Sequence, residues 1–215
     1  MAGSNRIINP APPNLPLGTD QYERRYQDQF ANVLRLYFNQ LKNALGELFS
    51  NVGGKYLSFP YGAIQRTTNK TFTANTATQI TFDQNDYLNG CTNDGTDGIV
   101  VQQAGIYNYQ FSVQFANTDA GVQTAYVWLR KNGVDIPGTG SKFDVPSKHA
   151  GSDGYLIAAC NFYVDLNAGD YVTMYAAVAN ASVYMEAYAA QTSPFPAPAI
   201  PSVVATLSFV SALPT

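Results

Sequence analysis

The chain has little charge, one histidine, one tryptophan, two cysteines and no long apolar run, and each scarcity removes a class of function. Only 13% of the 215 residues are charged, and the net charge is −3. Residues 1–52 hold Arg6, Arg24, Arg25, Arg35 and Lys42 against Asp20, Glu23, Asp28 and Glu47, which leaves 7 of the 12 basic and 11 of the 15 acidic residues beyond them. Neither part has the basic stripe that phosphate contacts require, so nucleic acid is not an expected partner. Cys91 and Cys160 show no metal-ligand spacing and read as two free thiols of a chain made in a reducing cytoplasm. The opening Met1–Arg6 lacks the apolar core of a secretory signal. Arg35, Asn39, Gln40, Lys42 and Asn43 interrupt the richest apolar stretch, so no membrane span is expected.

What is present begins with that stretch. Tyr22, Tyr26, Phe30 and Leu34 recur at i+4, and Leu34, Phe38, Leu41, Leu45 and Leu48 then alternate steps of four and three. That is a helical heptad seam, widened by Val33, Leu36 and Tyr37 beyond what one seam needs. The spacing predicts an amphipathic helix over 20–52, opened by the capping pair Asp20 and Glu23 and ended by Gly53-Gly54. Such a helix runs about 45 Å and needs partners. Before it, residues 1–19 form an extended arm, since Pro10, Pro12, Pro13 and Pro16 exclude helix. Ile7, Ile8, Leu15 and Leu17 suit a docking arm, with a disordered leader as the other reading.

From residue 56 on, the period is two. Tyr107, Tyr109, Phe111, Val113 and Phe115 alternate with Asn108, Gln110, Ser112 and Gln114. Further strands are expected over 76–82, 99–101, 122–130, 155–166, 171–178, 183–189 and 203–209. Asn132-Gly133 marks a hairpin, and Asn167-Ala-Gly169-Asp170 a second turn. Eight to ten strands at this spacing mean a sandwich or barrel.

Four of these pieces fall in a familiar order. Gly105-Ile-Tyr107-Asn-Tyr109, Leu129-Arg-Lys-Asn132-Gly133, Leu166-Asn-Ala-Gly169-Asp170-Tyr-Val172 and the closing Leu207-Ser-Phe209 resemble motifs of the complement-type globular head and tumour necrosis factor superfamily. The resemblance implies a mainly β chain over 56–215, a ten-stranded TNF-like jelly-roll sandwich associating as a homotrimer. It also implies a trimer interface of Tyr107, Tyr109, Leu207 and Phe209. The loop around Cys91 and the insert Pro194–Pro201 depart from that pattern.

A second resemblance lies over residues 5–45. Asn9-Pro-Ala-Pro-Pro-Asn-Leu-Pro-Leu-Gly18, followed by Tyr22, Tyr26 and Gln29-Phe30-Ala-Asn-Val-Leu34, is similar to the leader of structural proteins in tailed bacteriophages. It implies a virion location, with synthesis in the bacterial host's cytoplasm. The arm and helix would then anchor the chain through Tyr22, Tyr26, Phe30, Val33, Leu34, Leu36, Tyr37, Phe38, Leu41, Leu45 and Leu48. The expected partners are two further copies, and the major capsid protein or another virion structural protein.

Catalytic chemistry finds little to work with. His149 sits in a polar loop beside Ser147, Ser152 and Asp153, but adjacency in sequence does not make a triad. Glu186 has no second carboxylate at a recognisable interval. Asp94-Gly-Thr-Asp97-Gly98 offers two carboxylates to calcium and reads better as an Asx/Gly turn. The expectation is a non-enzymatic decoration (cement) or head-fibre protein with no cofactor, no metal and no catalytic residue. The alternative is a fibre-tip module that binds a host-surface receptor or glycan.

Overall fold

A period of 3.6 residues becomes one helix, and a period of two becomes a sandwich. The computed structural model describes residues 11–17, 21–48, 58–93 and 98–214, in two units, Met1–Ser58 and Phe59–Thr215. Asp20, Gly53-Gly54 and the arm's first ten residues lie outside that description, as do four residues of the Asp94–Gly98 loop, 94–97.

In the first unit α1 covers Arg24–Leu48, 25 residues or about 37 Å, with residues 21–23 ahead of it outside the helix; residues 49–52 of the expected helix lie outside the described residues. The Gln27 amide donates to the Glu23 carbonyl at 3.2 Å, so Glu23 itself stands at the helix start. The Tyr26 hydroxyl donates to the Pro16 carbonyl at 3.3 Å and ties that part of the arm to the first helical turn.

The second unit contains β1 (Tyr61–Arg66), β2 (Lys70–Thr71), β3 (Thr78–Ile80), β4 (Gln84–Asn89), β5 (Cys91–Asn93), β6 (Ile99–Val101) and β7 (Gly105–Asn117). It continues with β8 (Gln123–Lys131), β9 (Val134–Asp135), β10 (Ser141–Val145), β11 (Gly154–Leu166), β12 (Tyr171–Val178), β13 (Val183–Met185) and β14 (Val203–Ser211). In one sheet β4, β1, β14, β7 and β11 lie side by side, with β13 and β2 extending it past the end of β14. The other runs β10, β8 and β12, followed by β6 and β5, with β3 on a further stretch of β12 and β9 folded back on β8. Every strand pair is antiparallel. The chain passes from sheet to sheet in the order β1, β3 and β6, β7, β8 and β10, β11, β12, β14, which is a jelly roll.

The described residues hold 14 strands rather than ten. Most of the surplus is short: β2, β9 and β13 have two or three residues each and extend the ladders at their ends. β4 (QNDYLN), a largely wet strand at one sheet edge, and β10 (SKFDV), an edge strand that turns Phe143 and Val145 to the core, are not among the strands the sequence reading places.

The core follows the alternation elsewhere. Tyr107, Tyr109, Phe111, Val113 and Phe115 are buried, and Ile80, Val127, Leu129, Met174 and Leu207 lie in the same cluster. This corrects the expected trimer face. Tyr107 and Tyr109 are 0% exposed and Leu207 1% within a single chain, while Phe209 is half-buried against them. Alternation shows that these rings share a face; the opposing sheet makes that face the interior, so they offer no surface to a second copy. Gly105 belongs to this packing, since a Cβ there would stand 2.4 Å from the Phe209 ring. The hairpin closes as its sequence requires, with Asn132 at φ 51° and Gly133 at φ 82° between Lys131 and its partner Val134.

Cys91 is buried and Cys160 half-buried, and neither is in a disulfide. Burial pushes the Cys91 thiol up to about 11, so it holds its proton near neutral pH. A native-state thiol titration is expected to release one equivalent quickly, from Cys160, and the second only on unfolding. Two equally fast thiols would contradict the buried position of Cys91.

Candidate functional site

Two surfaces stand out, one in each unit. Along α1, Tyr26, Phe30, Val33, Leu34, Tyr37, Leu41, Ala44 and Leu48 are half-buried, and no described side chain of the helix is fully covered. Their spacing makes Tyr37 and Ala44, rather than Phe38 and Leu45, the middle of the stripe. Leu36 on one flank is 54% exposed, and Phe38 and Leu45 on the other are 58% and 41% exposed, with Tyr22 at 80% ahead of the helix. At 100° per residue the apolar arc spans about 200°, more than half the circumference. The opposite face is polar, with Arg24 and Asp28 at 4.0 Å and the Arg35 guanidinium donating to Asn32 at 2.7 Å.

In the sandwich the outer face of the first sheet is a trough. Register aligns Ala159, Ser112, Val204 and Gln65 in one row, and Asn161, Gln110, Thr206 and Ala63 in the next. Of these, Ala159, Ser112, Val204, Asn161, Gln110 and Thr206, with Phe111 and Cys160, line a hollow of about 560 Å³. A ridge on β11 flanks it, with Tyr155, Ile157 and Tyr163 54%, 61% and 69% exposed. Tyr61 and Tyr87 stand exposed on the opposite side.

β11 pairs with β7 along all 13 of its residues and with no other strand among those described. It contains no proline and one charge, Asp165. Natural edge strands are usually blunted by charge, proline or a bulge, because open N–H and C=O groups recruit other chains. A long, apolar, unblunted edge beside a trough of small residues is a surface suited to a second chain.

The candidate catalytic groups are dispersed. His149 is exposed, and its backbone closes a two-residue turn with Ser152 through bonds of 2.9 Å. Asp153 accepts from the Tyr184 hydroxyl at 3.2 Å and lies 3.8 Å from Lys148, and Glu186 accepts from Tyr188 at 2.6 Å. Burial raises both phenols, and the neighbouring carboxylates add to it. Among the described residues no group of three or more His, Cys, Asp or Glu side chains converges to hold a metal ion. No described helix is long and apolar enough to cross a membrane.

Sequence reasoning missed Asn117. It stands at the end of β7, where a polar letter reads as the start of a loop. Its side chain is 0% exposed and bonded on every side: Nδ2 donates to the carbonyls of Gly121 and Pro146 at 2.9 and 3.0 Å, and Oδ1 accepts from Asp119 N and Ser182 Oγ at 2.9 and 3.1 Å. Its role is to fasten the end of the sandwich.

No family model and no curated protein matches the chain. A solved structure of Eiger TNF from S. frugiperda is similar over 74% of this chain and 97% of that one, at 10% identity and a TM-score of 0.48.

Proposed function

We propose that the chain is a non-enzymatic structural protein of a phage virion, a capsid decoration or head-fibre subunit. The arm and helix attach it to the particle, and the sandwich forms the displayed body of a homotrimer. The observation that carries this reading is α1, whose apolar arc covers more than half its circumference while no described side chain of it is fully buried. Burying its large apolar side chains contributes about 1.5–3 kcal/mol each, enough to offset the ordering of arm and helix only when a partner covers them. A three-stranded coil would cover the central stripe through Leu34, Tyr37, Leu41 and Leu48. Leu36 and Phe38, on opposite flanks, then remain for the capsid protein or another virion protein. The phage-like wording of residues 5–45 supports a particle as that partner.

The trimer of sandwiches is assigned to the open β11 edge and the trough beside it, in place of the enclosed Tyr107, Tyr109 and Leu207. Sedimentation velocity of the full chain is expected to give a trimer. Ile157→Lys puts a charge on the exposed edge and is expected to shift the sandwich contacts toward dissociation, seen most clearly in residues 59–215 alone. A wild-type chain that sediments as a monomer at micromolar concentration would contradict the assignment.

A further inference from the structure

The outer face of the second sheet carries a different arrangement. Trp128 on β8 lies directly opposite Tyr175 on β12, and Tyr175 lies opposite Gln79 on β3. Two residues along β8, Tyr126 lies opposite Ala177. The square formed by these two rows therefore has three aromatic rings and one methyl group, which leaves a shallow place over Ala177. Tyr126 is exposed, and Trp128, Tyr175 and Ala177 are half-exposed.

Two of the rings, Trp128 and Tyr175, are held before any ligand arrives. Asp135 accepts from Trp128 Nε1 and from Arg130 Nε, both at 2.6 Å. The Arg130 guanidinium lies 3.9 Å from the centre of the Tyr175 ring, and the Tyr175 hydroxyl donates to Gln79 Oε1 at 3.2 Å. Trp128 and Tyr175 stack at 5.9 Å with 29° between their planes. Side chains fixed in this way lose little freedom on binding.

The charges bordering the platform come in pairs. Arg130 is matched by Asp135 at 2.6 Å, and Lys142, opposite Tyr126, by Asp144 at 3.5 Å. A charged ligand would meet no net opposite charge here. A purely apolar ligand would strip water from carboxylates and a guanidinium without replacing their hydrogen bonds. A ligand with a C–H face for the rings and hydroxyls for Asp135, Gln79 and Asp144 satisfies both parts.

We infer that the Tyr126–Trp128–Tyr175 platform binds a neutral oligosaccharide, one pyranose packed on the exposed Tyr126 ring and over Ala177, beside the Trp128–Tyr175 pair, with its hydroxyls bonded to the paired charges. This binding site does not depend on the virion reading, and either can fail without the other.

Trp128 is the only tryptophan, so its emission reports on this site alone. The test is a fluorescence titration of the full chain with maltohexaose, cellohexaose, mannohexaose and chitohexaose, and with a heparin hexasaccharide as the charged probe. A saturable change with at least one neutral probe is expected. Tyr175→Ala and Tyr126→Ala, each checked for an unchanged circular dichroism spectrum, are expected to weaken it at least roughly tenfold. In calorimetry Trp128→Ala should abolish binding of the same probe. No response to any neutral probe at millimolar concentration, a response to heparin alone, or full affinity in all three variants would overturn the assignment.

Discussion

Removing residues 1–58 is expected to abolish attachment to particles and to leave the β fold intact. The sandwich closes its core with its own residues, from Ile64 near its start to Leu207 near its end. The helix has no described side chain fully covered, so its apolar arc is the part of the chain that still needs burial. Each large side chain in that arc contributes about 1.5–3 kcal/mol when a partner covers it. Losing all of them removes far more than the roughly 1.4 kcal/mol that separates tenfold steps in affinity. Co-sedimentation with purified particles, alongside circular dichroism of the truncated protein, reads both halves of the expectation. In the full chain Leu34→Glu with Leu41→Glu should reproduce the loss, because it places two charges within the half-buried stripe. Attachment that survives both changes would remove the helix from the proposal.

The second large effect is on stability, at the end of the sandwich. Asn117→Ala deletes two donated and two accepted bonds that join β7 to the loop after it, to Pro146 and to Ser182. Its partners are half-buried at Asp119 and Ser182 and exposed at Gly121 and Pro146, so water takes up part of what is lost, and an orphaned buried polar group costs about 1–3 kcal/mol. A loss of about 1–3 kcal/mol is expected, or a fall of roughly 5 °C in Tm for a domain of this size. Gly154 lies opposite Asn117 in the β7–β11 ladder, and a Cβ there would stand 2.0 Å from the Pro146 carbonyl oxygen. Gly154→Ala must therefore displace the same carbonyl that Asn117 holds, and its cost is expected to be at least as large. Thermal melting of the two variants, with Ser208→Ala on the exposed face as a comparison, checks this. A change of less than about 2 °C in either would contradict the network's importance.

The two periods made most of the fold legible. Tyr107 to Phe115 and Tyr171 to Val178 alternate because one face of each strand is core, and the helix shows its wide apolar arc without any tertiary information. β4 lacks that signal because an edge strand with water on both faces needs no alternation, and β10 turns only Phe143 and Val145 to the core, too short a run to stand out. The rings of Tyr107 and Tyr109 mark the other boundary of legibility. A one-dimensional pattern says which residues share a face, and only the second sheet decides whether that face lies inside or outside. Asn117 and the Trp128 platform were hidden for a related reason. Both depend on groups brought together by register and crossover, Pro146 and Ser182 in one case, Tyr175 and Gln79 in the other, and no local spacing announces them.

The most direct test of the central proposal is an electron cryomicroscopy map of the particle that contains this chain. Expected are three copies of the sandwich around a threefold axis on the particle surface, with α1 covered by its mates and by another virion protein. A particle without the chain, or one that holds it as an isolated monomer with the helix free in solvent, would contradict the proposal.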